Sequence, residues 1–179
     1  MASLGGIRKP MAAERSVAGT VHRLGAKPRT AGEHGLPKPE LDRARITFAG
    51  VEGDYNLYRD TRKRGDPEMA LLLLPLETIE ELGREGWPVR PGDLGENVTT
   101  SGIAYARLAP PTRLRLGTAV IETARPCEPC DNLFLLPYVG RDRGPEFLKA
   151  TLGRRGWFAR VLSEGVVRRG DPVEAVGPA

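Results

Sequence analysis

The chain is poor in the residues that bind metals. It has two histidines, His22 and His34, and two cysteines, Cys127 and Cys130. A closed zinc site takes four such ligands, commonly two close pairs. One cysteine pair with two distant histidines argues against such a site within one chain. Long apolar runs are missing as well. The longest is Met69-Ala70-Leu71-Leu72-Leu73-Leu74, far short of a membrane span. The N-terminal stretch MASLGGIRKPMAAERSVAG lacks the apolar core of a secretory signal. These absences lead us to expect a cytoplasmic protein with no membrane partner. There a cysteine pair is more often reactive or metal-binding than a structural disulfide. No Lys/Arg run of five or more occurs, and the aromatics, 6% of the chain, are not interleaved with the basic residues. Nucleic-acid binding is therefore not expected.

What is present suits one domain. A length of 179 residues with 40% hydrophobic residues can bury a core. Residues 1–18 read as a flexible leader and 19–179 as the domain. The net charge is +4, and basic residues thicken toward the C-terminal part, from Arg141 to Arg169. Such a face suits an anionic partner, either a small phosphate or a polyanion.

Short strands are expected at Thr20–Leu24, Arg45–Ala49, Ala70–Leu74, Val98–Thr100, Arg113–Leu116, Thr118–Thr123, Trp157–Leu162, Val166–Val167 and Asp171–Val176. Between Leu76 and Leu82 the apolar spacing changes to three, which predicts a short amphipathic helix. Glu77 lies in its first turn, and Gly83 or Gly86 would stop it. A second helix is predicted from Pro145 to Leu152, with Phe147, Leu148 and Leu152 on one face. Tyr55 to Pro67 reads as polar and irregular. Many short strands with Gly/Pro turns and no βαβ alternation argue a mainly β fold, a sandwich or barrel with a few short helices.

The stretch Arg125-Pro126-Cys127-Glu128-Pro129-Cys130-Asp131-Asn132-Leu133 holds both cysteines at C-x-x-C spacing, just after a predicted strand. A redox pair of the thioredoxin kind wants its first cysteine at a helix N-terminus. Here prolines surround the pair and no helix is expected to follow. Alternatively, a single thiol reacts and the other packs. Arg125 is the nearest cation in sequence, while Glu128 and Asp131 act against it. Asp54, Glu96 and Asn97 sit in glycine-flanked turns, whose backbone N–H groups can cradle an anion. Asp and Asn are also ordinary turn formers. Trp87 and Trp157 read as packing residues.

Four ordered segments carry a resemblance. They are Gly35-Leu36-Pro37-Lys38; Gly53-Asp54; Pro91-Gly92-Asp93-Leu94-Gly95-Glu96-Asn97-Val98-Thr99-Thr100-Ser101-Gly102; and the Arg-Pro-Cys…Cys-Asp-Asn-Leu stretch with Gly156-Trp157-Phe158-Ala159-Arg160-Val161 and Gly170-Asp171-Pro172-Val173. From about Gly19 to Val176 the chain resembles the MOSC domain, the module named for the C-terminal part of molybdenum-cofactor sulfurases. The resemblance implies a β-barrel of the pyruvate-kinase barrel type. It implies that Cys130, between Pro129 and Leu133, is the family cysteine that carries sulfur as a persulfide. Cys127 is then a resolving partner or an incidental small residue, and Arg125 an activator. The turns of Asp54, Glu96 and Asn97 would line the pocket around the cysteine. Lys38 and Arg125 would anchor a pterin phosphate or an anionic sulfur donor. The implied partners are a cysteine desulfurase or other sulfur donor and a metal-cluster or molybdenum-cofactor acceptor. Two other functions stand beside sulfur transfer: an oxidoreductase component holding the molybdenum cofactor, and a non-enzymatic binding module. None of the five lysines has a PLP context, so no PLP site is expected. After Gly53-Asp54 many members carry histidines, whereas this chain has Tyr55-Asn56-Leu57-Tyr58-Arg59.

Overall fold

A computed structural model describes residues 18–31 and 34–177. Residues 1–17 of the expected leader lie outside the described residues, and Ala18 opens the first strand. In chain order the strands are β1 Ala18–Gly25, β2 Glu40–Leu41, β3 Arg43–Thr47, β4 Gly50–Val51, β5 Leu71–Pro75, β6 Val98–Ser101, β7 Arg113–Leu116, β8 Ala119–Pro126, β9 Trp157–Ser163, β10 Gly165–Arg168 and β11 Pro172–Ala175. The α-helices are α1 Leu57–Arg62, α2 Leu76–Arg84 and α3 Gly140–Thr151.

Seven strands close into a barrel in the order β1, β11, β7, β8, β9, β5, β6, with β6 returning to β1. Among the described strands only β5 and β6 run parallel; their crossover is α2 and the turns after it. Closure leaves no open edge in the ring. β2 extends the end of β1, and β10, β3 and β4 form a separate three-stranded sheet.

β5 shows why an unbroken apolar run makes one strand. All five of its residues are buried. Alternate side chains point to opposite faces of a strand. Leu71 and Leu73 join the barrel core with Val21, Leu24, Val98, Leu114, Ile121 and Val161. Leu74 joins a second core, where Ile79, Leu82, Trp87, Leu133 and Phe147 gather under α2 and α3. Leu72 joins a small third cluster with Met69, Phe158 and Cys127. Each buried leucine contributes about 1.5–3 kcal/mol, so β5 ties three clusters together.

Three expectations are corrected. Tyr55 to Pro67 is not wholly irregular: α1 forms there, capped by the Asn56 side chain, which accepts from the Arg59 N–H at 3.0 Å. It buries no residue, so apolar spacing could not reveal it. The second helix starts at Gly140, a turn and more before Pro145, and Leu152 ends it exposed. Gly144 lies against Phe134, where a Cβ would sit 2.4 Å from the ring. A glycine-rich start that serves close packing looks like a loop in sequence. Finally, β3 ends at Thr47, and Phe48 and Ala49 form the turn into β4.

Candidate functional site

β8 delivers the cysteine segment to one end of the barrel. Its last two residues pair with the start of β9, Arg125 with Phe158 and Pro126 with Trp157. The pairing continues one step further, because the Cys127 N–H donates to the Gly156 carbonyl at 2.9 Å. This register sets the residues just before β9 beside the cysteines.

The two thiols receive different surroundings. Cys127 is 4% exposed and packs on Met69, Leu72 and Phe158. Burial pushes its thiol up to about 11, with the Arg155 charge working in the opposite direction. Cys130 is half-buried. It opens a short 3₁₀ turn, Asp131–Leu135, its carbonyl accepting from the Leu133 N–H at 3.0 Å. Both cysteines are free thiols.

The cation at Cys130 is Arg155. Its Nη1 lies 3.3 Å from Cys130 Sγ and donates to the Glu128 carbonyl at 2.7 Å. Arg155 comes from the turn between α3 and β9 and is 7% exposed. Arg125 points elsewhere: it pairs with Asp66 and approaches Glu68 at 3.9 Å. Tyr105 borders the same region. Its hydroxyl accepts from the Gly156 N–H at 3.1 Å, and its ring lies 5.2 Å from that of Trp157, whose Nε1 donates to the Tyr105 carbonyl.

Lys38, Asp54, Glu96 and Asn97 gather in a second, buried group. Lys38 Nζ donates to both Asp54 carboxylate oxygens, at 2.6 Å to Oδ2. Asp54 also accepts from the Lys27 N–H and the Asn97 side chain, each at 2.8 Å. Asn97 donates to the Gly25 carbonyl and accepts from the Leu72 N–H, while its own N–H donates to the Leu72 carbonyl. Glu96 accepts from the Gly92 N–H and the Thr99 hydroxyl. Burial raises the Glu96 carboxyl above its ordinary value and lowers the Lys38 ammonium, the latter opposed by Asp54 and Glu96. Arg23, absent from the residues singled out by sequence, completes the group. It donates to the Lys38 carbonyl and is drawn to Glu96, against which Gly25 and Gly92 leave room: a Cβ at Gly92 would sit 2.6 Å from its guanidinium. The two groups meet at Leu72, whose backbone is clasped by Asn97 and whose side chain packs on Cys127.

Among the described residues, no group of three or more His, Cys, Asp or Glu could hold a metal ion, and no helix is long and apolar enough to cross a membrane.

A closed antiparallel-rich barrel with a half-buried thiol at one end, seated on a guanidinium, is the class of protein this architecture defines. The MOSC domain profile matches residues 60–174, and the chain belongs to the MOSC domain family. That family is related to the C-terminal domain of molybdenum-cofactor sulfurases and is associated with molybdenum-cofactor enzymes. Protein YiiM of Escherichia coli is 29% identical over 137 residues, which is 73% of this chain and 58% of YiiM. The chain thus spans less than two thirds of that curated relative. Among solved structures, the YUAD protein from Bacillus subtilis superposes with a TM-score of 0.74 at 19% identity, covering 92% of this chain and 99% of YUAD. YiiM from Geobacillus stearothermophilus gives a TM-score of 0.67 at 23% identity, covering 89% of this chain and 75% of that one.

Proposed function

We propose that this domain carries sulfur on Cys130 as a persulfide and passes it to a metal–sulfur or molybdenum-cofactor acceptor. The observation that carries the reading is the 3.3 Å contact between Arg155 Nη1 and the half-buried Cys130 sulfur. The thiolate is the reactive form of cysteine. In loading, the Cys130 sulfur attacks the outer sulfur of a donor persulfide. A new S–S bond forms at Cys130, the donor S–S bond breaks, and the donor leaves as a thiolate. No net oxidation occurs. Arg155 supplies positive charge to the sulfur before and after transfer. A cysteine desulfurase is the proposed donor.

Burial separates the roles of the two thiols. Cys127, enclosed and held protonated at neutral pH, suits packing better than attack on its neighbour. The residues named above as cofactor anchors do not fit a pterin phosphate. Lys38 is bound to Asp54 and buried, and Arg125 is bound to Asp66, so neither offers a free cation. The cofactor therefore enters as acceptor of sulfur, and no step is routed through it.

Incubation with a cysteine desulfurase and cysteine tests the proposal. Mass spectrometry is expected to find one added sulfur on the Cys130 peptide and none on Cys127. An unmodified Cys130 that still alkylates readily would overturn it.

A further inference from the structure

Arg155 is a buried cation with no carboxylate partner among the described residues. Other arginines of the fold are paired: Arg154 with Glu85, Arg125 with Asp66, and Arg113 and Arg160 with Glu122. Arg155 instead donates from Nη1 to one carbonyl and one sulfur, and its Nε is enclosed with no acceptor. Buried charges are normally paired, because removing a lone charge from water is costly. A guanidinium also offers five N–H donors in a planar fork that matches oxyanions. This cation without a counter-charge lies beside the half-buried thiol, its Nη1 3.3 Å from the Cys130 sulfur.

From this we infer that the Cys130–Arg155 site takes a small anionic sulfane-sulfur donor, of which thiosulfate is the simplest. The inference rests on the persulfide reading above and names a substrate class for it. Arg155 would hold the sulfonate oxygens while the terminal sulfur meets Cys130. The Cys130 thiolate attacks that terminal sulfur, its proton having gone to solvent. An S–S bond forms at Cys130, the bond between terminal and sulfonate sulfur breaks, and its electron pair leaves on sulfite. Cyanide can then take the outer sulfur. A C–S bond forms, the S–S bond to Cys130 breaks, and thiocyanate leaves with the thiolate restored. Each transfer conserves electrons without an external oxidant.

The experiment uses the whole chain with thiosulfate, with and without cyanide, beside a parallel reaction with desulfurase and cysteine. Thiosulfate alone is expected to leave one sulfur on Cys130, and with cyanide to give thiocyanate catalytically. Arg155→Gln is expected to raise KM for thiosulfate about ten- to a hundredfold, the worth of hydrogen bonds to a charged group. Arg155→Lys, which keeps the charge but not the fork, is expected to recover part of that loss. Thermal melts check that each variant is folded, and the wild-type result decides the matter if one is not. Loading by desulfurase but not by thiosulfate overturns this inference and leaves the persulfide reading standing. Loading by neither, with Cys130 open to alkylation, overturns both. Turnover that survives Cys130→Ser, or a KM unchanged in folded Arg155→Gln, removes the site from the reaction.

Discussion

Cys127 and Cys130 differ in what touches their sulfur atoms, and pH should expose the difference. An ordinary cysteine titrates near 9.0, and in the folded chain Cys127 is pushed up to about 11 by burial. Below pH 9 the thiol is protonated whether the chain is folded or not, so its packing counts in full. Between 9 and 11 the unfolded chain loses this proton and the folded chain keeps it. Stability is therefore lost as pH rises through that window, by about 2–3 kcal/mol for a shift of this size. Cys127→Ala removes the proton along with the sulfur. At about pH 8 the variant should be less stable by about 1 kcal/mol, through the cavity left behind. Urea denaturation repeated at about pH 10.5 should find that deficit erased or reversed. A deficit of equal size at both values would show that Cys127 does not titrate on unfolding. Legibility at this scale followed sequence distance. Cys130 and the four residues of the buried group were visible as motif positions. Arg155 was not, because its approach depends on strand register. The register that sets Pro126 opposite Trp157 brings Arg155 beside the cysteine segment, and the two predicted strands, one ending at Thr123 and the other starting at Trp157, do not state it. Arg23 gave no signal: a register shift between Val21 and Arg23 lets Leu24, not Arg23, join Val21 in the barrel core, and its neighbours in sequence do not announce one.

Among the elements, the start of β9 bears most directly on the site. Gly156 has φ +108, and a Cβ there would lie 2.4 Å from the Leu73 carbonyl of β5. Its carbonyl also receives the Cys127 N–H, and its N–H reaches Tyr105. Gly156→Ala should cost about 2–5 kcal/mol, combining backbone strain with overpacking. The same change should move the cysteine segment and lower persulfide loading in variants still folded. A urea midpoint and loading both equal to wild type would contradict this account. Elements with a strong pattern were readable in advance. β5 announced itself as an apolar run, and α2 by its change of period and by Gly86, which adopts φ +93 just past the Glu85 cap. α1 and the first turn of α3 lacked such a pattern. One is held by the Asn56 cap and by Arg59 bonds to the Gly65 and Asp66 carbonyls, the other by a glycine that admits Phe134. Neither kind of support leaves apolar spacing behind.

For the whole molecule, closure of the barrel depends on the two ends of the domain meeting. Ala18, Gly19 and Thr20 of β1 pair with Glu174, Val173 and Pro172 of β11, which also pairs with β7. β1 is tightly packed on its other side too, where a Cβ on Gly19 would sit 2.3 Å from the Ser101 carbonyl of β6. No local sequence feature states that these strands are neighbours. Turn spacing argued for a sandwich or barrel, and the choice between them rests on this one pairing of distant segments. A chain ending at Asp171 loses β11 and leaves β1 and β7 with unpaired backbone groups facing each other across a gap. It also removes Val173, which is fully enclosed in the barrel core. Burying that side chain is worth about 1.5–3 kcal/mol, before the lost ladder bonds are counted. Such a loss is a large share of the 5–15 kcal/mol that holds a typical domain. The truncated chain should therefore show a Tm lowered by many degrees or no cooperative melt, together with a gain in aggregation through the opened edges. If it melts cooperatively at the full-length midpoint, the ring does not need β11, and the barrel is better described as a curved open sheet.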